Sequence, residues 1–190
     1  MTDAPELPPE ELREFSPNHN PFHNYVTMDG RLTSQGIAQA DFALRMLAHA
    51  CFVNSKAHGW YDEYIATVYN DGFPDQPVKE LQERNFGEVI ALIHSELSEA
   101  LESYRDGEPP LWFKHADPLS VPVAQNNWSS HSHNDDGVPG KPEGVASELA
   151  DVLIRVFDYV GAYDIPLADA LIAKHAYNVT RPYRHGNKKA

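Results

Sequence analysis

One cysteine, Cys51, stands in a chain of 190 residues. It excludes an intramolecular disulfide and a thiolate zinc site, and this cysteine usage predicts a cytoplasmic compartment. Long apolar runs are equally scarce. No stretch approaches the roughly 18 uninterrupted apolar residues that a spanning helix requires, and the opening MTDAPELPPEELREF lacks the basic flank and apolar run of a signal peptide. Basic residues are few, 15 Lys and Arg against 28 Asp and Glu, for a net charge of −13. An acidic body repels nucleic-acid backbones and suits divalent cations.

The chain is otherwise ordinary for a soluble globular protein, 42% apolar and 23% charged, and its length predicts one compact domain with appendages. Residues 1–33 carry six acids and two bases, with Pro5, Pro8, Pro9, Pro17 and Pro21 and no sustained apolar period. They read as an arm. Residues 181–190, RPYRHGNKKA, carry four bases and no acid, a tail that suits phosphate. No internal repeat is present.

Four helices follow from the periodicity. The first starts at Ser34, its expected N-cap, repeats Ile37, Asp41, Leu44, Ala48 and Cys51 at spacings of three and four, and stops at Gly59. Residues 60–84, with the turn signals Asn70-Asp71-Gly72 and Pro74, read as a connection with one short helix. The second helix is capped by Asn85 and stops at Asp106-Gly107; Phe86, Val89, Ile90, Ile93, Leu97, Ala100 and Tyr104 fall within about 60° of Ile93 and form its expected core face. The third, EGVASELADVLIRVFDYVGAY, carries a stripe of Val145, Leu149, Val152, Leu153, Val156 and Val160, with Ile154 and Phe157 on another side. A helix apolar on two sides is central in its bundle or faces a second subunit. The fourth, LADALIAKHAYNVT, follows Pro166 and ends at Pro182. Between the second and third, residues 106–142 hold six of the 15 prolines together with His115, and with a His131-x-His133 pair that lacks the four fixed ligands of a structural zinc site.

The chemistry gathers on helix edges. Glu96 and Glu99, three residues apart, border the apolar stripe of the second helix, and Glu148 and Asp151 repeat the arrangement on the third. If the two seams face one another, four carboxylates converge. Such a cluster repels itself unless a cation neutralises it, and oxygen ligands without histidine or thiolate select magnesium or manganese. On the fourth helix Leu167, Leu171, Lys174, Asn178 and Arg181 form one line, and Lys174 with Arg181, Arg184 and His185 makes a cationic rim for phosphate oxygens. Asn54, Trp60 and Tyr61 are candidates for a base pocket, since aromatic faces stack on bases and an amide reads their edges. Cys51, on an apolar stripe, is not expected to be catalytic.

The segments ELSEALE and ELADVLIRVFD, followed by KHAYNVTRPYRHG, resemble the MazG-like nucleotide pyrophosphohydrolases, the all-α superfamily that includes dimeric dUTPases and phosphoribosyl-ATP pyrophosphohydrolase. An E-x-x-E pair followed by an E-x-x-D pair on the next helix is that family's hallmark, and the resemblance spans residues 35–187. It implies an all-α domain with a four-helix core, here over 34–187, and assembly as a homodimer or homotetramer; the proline-rich arm over 1–33 and a tail at 188–190 flank that domain. It implies magnesium-dependent hydrolysis of nucleoside triphosphates to monophosphate and pyrophosphate, with manganese as a substitute. Glu96, Glu99, Glu148 and Asp151 would hold the metal, and Lys174, Asn178 and Arg181 would contact substrate. Glu99 is the expected proton acceptor, lying further than Glu96 from the apolar seam of its helix, and Lys174 would stabilise charge on the leaving pyrophosphate. Arg184, Asn54 and Trp60 complete the candidate substrate contacts; neither nucleic acid nor membrane is an expected partner.

The inserted loop over 106–142 departs from compact relatives and leaves base selectivity open. Two other activities compete with the main reading: pyrophosphate release from phosphoribosyl-ATP, and a bundle that binds nucleotide or a partner without catalysis. A ferritin-like di-iron protein would need Glu-x-x-His on two helices, and no glutamate here has a histidine three residues on.

Overall fold

A computed structural model of the chain describes residues 21–70, 73–114, 121–122 and 140–182. Four α-helices dominate it: α1 (Ser34–Ala57), α2 (Phe86–Arg105), α3 (Val145–Ala162) and α4 (Leu167–Val179). Two small antiparallel sheets accompany them, a hairpin of β1 (Ile65–Asn70) with β2 (Phe73–Leu81), and a three-stranded sheet in the order β4 (Val121–Pro122), β3 (Trp112–Lys114), β5 (Lys141–Glu143). The fold is therefore mostly helical rather than purely so. No helix among the described residues is long and apolar enough to cross a membrane.

The chain forms two compact units, Met1–Met46 with Pro166–Ala190, and Leu47–Ile165. In the first, residues 21–33 are folded rather than a free arm. A Val26–Leu32 bridge closes a turn, Thr33 caps α1 by accepting the Gly36 N–H at 3.0 Å, and His175 Nε2 donates to the Gly30 carbonyl at 2.8 Å. The cap is thus Thr33, one residue before the expected Ser34. Gly36 allows the approach of the Tyr25 carbonyl, which any Cβ would strike. Arg45 ties α1 to α4 by donating to both Asp41 and Asp169 at 2.8 Å.

In the second unit, α2 and α3 pack against each other. Asn85 caps α2 as expected, its side chain accepting the Gly87 N–H at 2.9 Å, and the chain leaves the helix through Gly107 at φ +70. The buried line of α2 is Val89, Glu96 and Ala100, while the expected core residues Phe86, Ile90, Leu97 and Tyr104 are exposed. The helix is rotated so that its acidic edge, not the centre of its apolar stripe, meets α3. On α3 the buried apolar residues are Phe157, Tyr159 and Val160, and Leu149, Leu153 and Ile154 are exposed. Gly161 lets α3 approach the C-terminal half of α1, because a Cβ there would strike the Ala48 carbonyl.

The connection over residues 60–84 holds a short 3₁₀ turn, Asp62–Tyr64, and then the β1–β2 hairpin, where one short helix is expected from turn signals alone. The β-branched and aromatic run IATVY explains the difference: such residues favour a pleated strand. Ile65 pairs with Leu81 and Val68 with Val78. Within the inserted segment, Trp112 pairs with Glu143 and Lys114 with Lys141, so strands replace part of the expected loop and fix the entry to α3. His115, His131 and His133 lie outside the described residues.

Candidate functional site

The carboxylates sit on the α2–α3 seam, and side-chain oxygens of Glu96, Glu148 and Asp151 all lie within 4.8 Å of one another. The reason is local. The i, i+3 spacing puts Glu148 and Asp151 on one face of α3, and the rotation of α2 turns Glu96 inward, 6% exposed, against them. Glu99 is not in that group. It stands on the exposed edge of α2, where Ser95 Oγ donates to its Oε1 at 3.2 Å. Gly144 makes the entry to α3 possible: its φ of +93 suits glycine, and a Cβ would collide with the Pro109 carbonyl.

The cluster is electrostatically costly. Burial, followed by the charges of Glu99, Asp151, Glu96 and Glu143, pushes the Glu148 carboxyl above its ordinary range. Asp151 is raised by burial and Glu96, against which Arg155 and Lys141 act. Two cations partly answer this charge. Arg155 Nε donates to Glu96 Oε1 at 2.7 Å and its Nη2 reaches the same oxygen; Lys141 Nζ donates to Glu143 at 2.8 Å, and that contact raises the lysine. Three converging carboxylate oxygens without nitrogen or sulfur fit a hard divalent cation.

Beside the cluster, in the same unit, is a cleft of about 250 Å³ lined by Asn54, Trp60, Arg84, Asp151, Arg155 and Asp158 among others. Trp60 is 68% exposed and offers a ring face. Tyr61 is not available for stacking. It is fully buried, with the Phe52 ring edge-on at 5.2 Å and Arg84 over its own ring at 5.3 Å, so its place as a base-pocket candidate is corrected to a core anchor. Its hydroxyl is pushed upward by burial and by Asp158. Arg84, stacked on Tyr64 as well, holds Asp158 Oδ2 at 3.6 Å. Asp158 is itself raised by burial.

Lys174, Asn178 and Arg181 belong to the other unit, on and just after α4. Lys174 and Asn178 line an open groove of about 530 Å³ with Leu167, Ala170, Leu171 and His175; Arg181, the last member of the expected line, is not among the lining residues. Lys174 and Arg181 flank the Tyr177 ring, 5.7 and 6.0 Å from its centre. Arg184 and His185 lie outside the described residues. Half-buried Cys51 has its thiol pushed up by burial, against reactivity at neutral pH.

Sequence reasoning missed Arg84, Arg155 and Asp158. A signal existed for the last two, a lone arginine four residues and an aspartate seven residues after Asp151 in an otherwise apolar helix, which puts all three near one face. Arg84 has no such periodic signal. No protein-family model matches the chain, and neither does any curated protein or solved structure.

Proposed function

We propose that the chain is a MazG-like nucleotide pyrophosphohydrolase of the four-helix type, a magnesium-dependent enzyme that hydrolyses nucleoside triphosphates to the monophosphate and pyrophosphate. The observation that carries this reading is the convergence of Glu96, Glu148 and Asp151, drawn from the two acidic motifs that resemble the family, within 4.8 Å. Glu96, Glu148 and Asp151, with Glu99 at the edge, would hold the cation. A bound divalent ion would neutralise phosphate charge and acidify water there.

The chain's own groups divide the remaining work. A water oxygen bonds to the α-phosphorus, the bond from that phosphorus to the bridging oxygen breaks, and pyrophosphate departs. Exposed Glu99 takes the proton of the attacking water, since it stands outside the Glu96–Glu148–Asp151 group. The resemblance assigns Lys174, Asn178, Arg181 and Arg184 to phosphate oxygens, where a cation favours the departing charge. Trp60 stacks on the base and Asn54 reads its edge. The exposed apolar residues Phe86, Leu97, Leu101 and Tyr104 on α2 lie on one side of the helix, and a second copy of this chain covers them in a homo-oligomer. Cytoplasm is the proposed compartment.

A second reading rests on Arg155. Its grip on Glu96 already supplies a positive charge, as in a bundle that binds nucleotide without turnover. Anion-exchange analysis of products from each common ribo- and deoxyribonucleoside triphosphate, with magnesium or chelator and with a Glu148→Ala control, separates the readings. Monophosphate plus pyrophosphate, lost with chelator and in the variant, supports the hydrolase. Diphosphate plus phosphate moves the cleavage position, turnover of phosphoribosyl-ATP alone selects that narrower activity, and binding without turnover selects the silent bundle.

A further inference from the structure

We infer that Arg155 is a positioning residue with two seats: Glu96 while the carboxylate cluster carries no metal, and Asp158 once it does. The inference rests on the metal-site reading above. Loading the cluster then hands a guanidinium to the adjacent cleft.

The first seat is the ion pair across the seam, Nε and Nη2 of Arg155 on one oxygen of Glu96. Glu96 is also one of the three carboxylates whose oxygens converge, so the arginine holds a ligand that a metal would need. A divalent ion at that carboxylate would stand within a few ångströms of the guanidinium, and like charges at that range repel strongly. The arginine is the mobile party. Its side chain is 38% exposed on a long flexible stem, whereas the Glu96 side chain is 8% exposed.

The second seat is on the same helix. Glu148, Asp151, Arg155 and Asp158 fall within about 80° of the α3 circumference, so the acid three residues on is a surface neighbour of the arginine. Both Arg155 and Asp158 line the 250 Å³ cleft. Asp158 is buried; Arg84 holds its Oδ2 at 3.6 Å, and the Tyr61 and Ser55 side chains also act on its carboxyl. Its Oδ1 is the one buried side-chain oxygen or nitrogen without a hydrogen-bond partner among the described residues. A buried acceptor without a donor is costly, and Arg155 is the one cation that α3 carries.

Calorimetric titration of the full chain with Mg²⁺ tests the exchange in wild type, Arg155→Gln, Asp158→Asn and the double variant. Removing the arginine abolishes its competition for Glu96, so Arg155→Gln binds Mg²⁺ about tenfold tighter, the worth of a charge-assisted contact. Asp158→Asn weakens Mg²⁺ binding, and does so less in the Arg155→Gln background, because the displaced arginine is what needs the second seat. A wild-type readout independent of variant folding is the Arg155 Nε–H resonance, identified by its loss in Arg155→Lys, which shifts on addition of Mg²⁺. Equal or weaker Mg²⁺ binding by Arg155→Gln, equal effects of Asp158→Asn in both backgrounds, or an unmoved resonance overturns the exchange while leaving the metal site standing. Absence of Mg²⁺ binding by wild type overturns the metal site and the exchange together.

Discussion

Arg155 on α3 donates through Nε to Glu96 Oε1 on α2 at 2.7 Å, and this contact crosses the seam at the point where three carboxylates meet. It neutralises the most buried of them. Arg155→Gln leaves Glu96 buried and without that donor, so the metal-free protein loses about 1 to 2 kcal/mol; the partly exposed guanidinium keeps some water, which holds the loss below that of a fully buried pair. Urea unfolding in chelator measures it, and saturating Mg²⁺ should narrow the gap to wild type.

Acidification should stabilise the metal-free protein. Burial and the charges of Glu99, Asp151, Glu96 and Glu143 raise Glu148, and Asp151 is raised as well, with Lys141 and Arg155 opposing. A carboxyl whose folded pKa exceeds its unfolded value gives stability that is complete below the ordinary range near 4.5 for Glu148 and 3.8 for Asp151, and that is lost as pH rises through the folded values. Melting temperature in chelator therefore climbs as pH falls from neutral toward those values. Glu148→Gln flattens the climb; an unchanged slope in that variant would show that Glu148 is not its source.

Gly144 carries φ +93 and faces the Pro109 carbonyl at a distance that admits no Cβ. Gly144→Ala should cost about 1 to 3 kcal/mol from backbone strain and displacement, and should lower metal affinity because α3 enters from this residue. Thermal melts and magnesium titration read the two effects separately.

Trp60 and Tyr61, adjacent in sequence, should behave in opposite ways. Trp60 is 68% exposed at the cleft, so Trp60→Ala raises KM and leaves the melting temperature nearly unchanged. Tyr61 is fully buried, and Tyr61→Ala costs about 3 to 5 kcal/mol. Comparable losses of stability in the two variants would contradict the assignment of Trp60 to substrate.

Lys174 and Asn178 are exposed on α4, so replacement by alanine should spare stability. Under the proposed function each lowers kcat/KM, Lys174→Ala by about 100-fold, the scale of a lost donor at developing charge. Steady-state kinetics beside a thermal melt checks both halves of the claim.

Helices were the legible part of this fold. Asn85, Gly59, Gly107 and Pro166 punctuate it where α1, α2 and α4 begin or end, because capping and breaking act over a few residues. The pairing of Glu148 with Asp151 on one face of α3 was also readable, since i, i+3 spacing depends only on helix geometry; the convergence across the seam was conditional on the two faces meeting, and it takes in Glu96 but not Glu99. Rotation about the α2 axis was not: a wide apolar face leaves open which part meets α3, and the residues beside Glu96 were chosen over Leu97 and Tyr104. The β1–β2 hairpin was hidden by reading 60–84 for turns rather than for the β-branched run at Ile65. Tyr61 and Trp60 look alike in sequence, and only tertiary packing separates a core anchor from a cleft wall.

The proposed reaction is water attack on the α-phosphorus of a nucleoside triphosphate at the Glu96–Glu148–Asp151 cluster. Turnover in H₂¹⁸O with magnesium, read by mass spectrometry of both products beside Glu148→Ala, tests it most directly. One ¹⁸O in the nucleoside monophosphate, none in pyrophosphate, and no labelled product from the variant are expected. Label in the pyrophosphate, or undiminished labelling by Glu148→Ala, would contradict it.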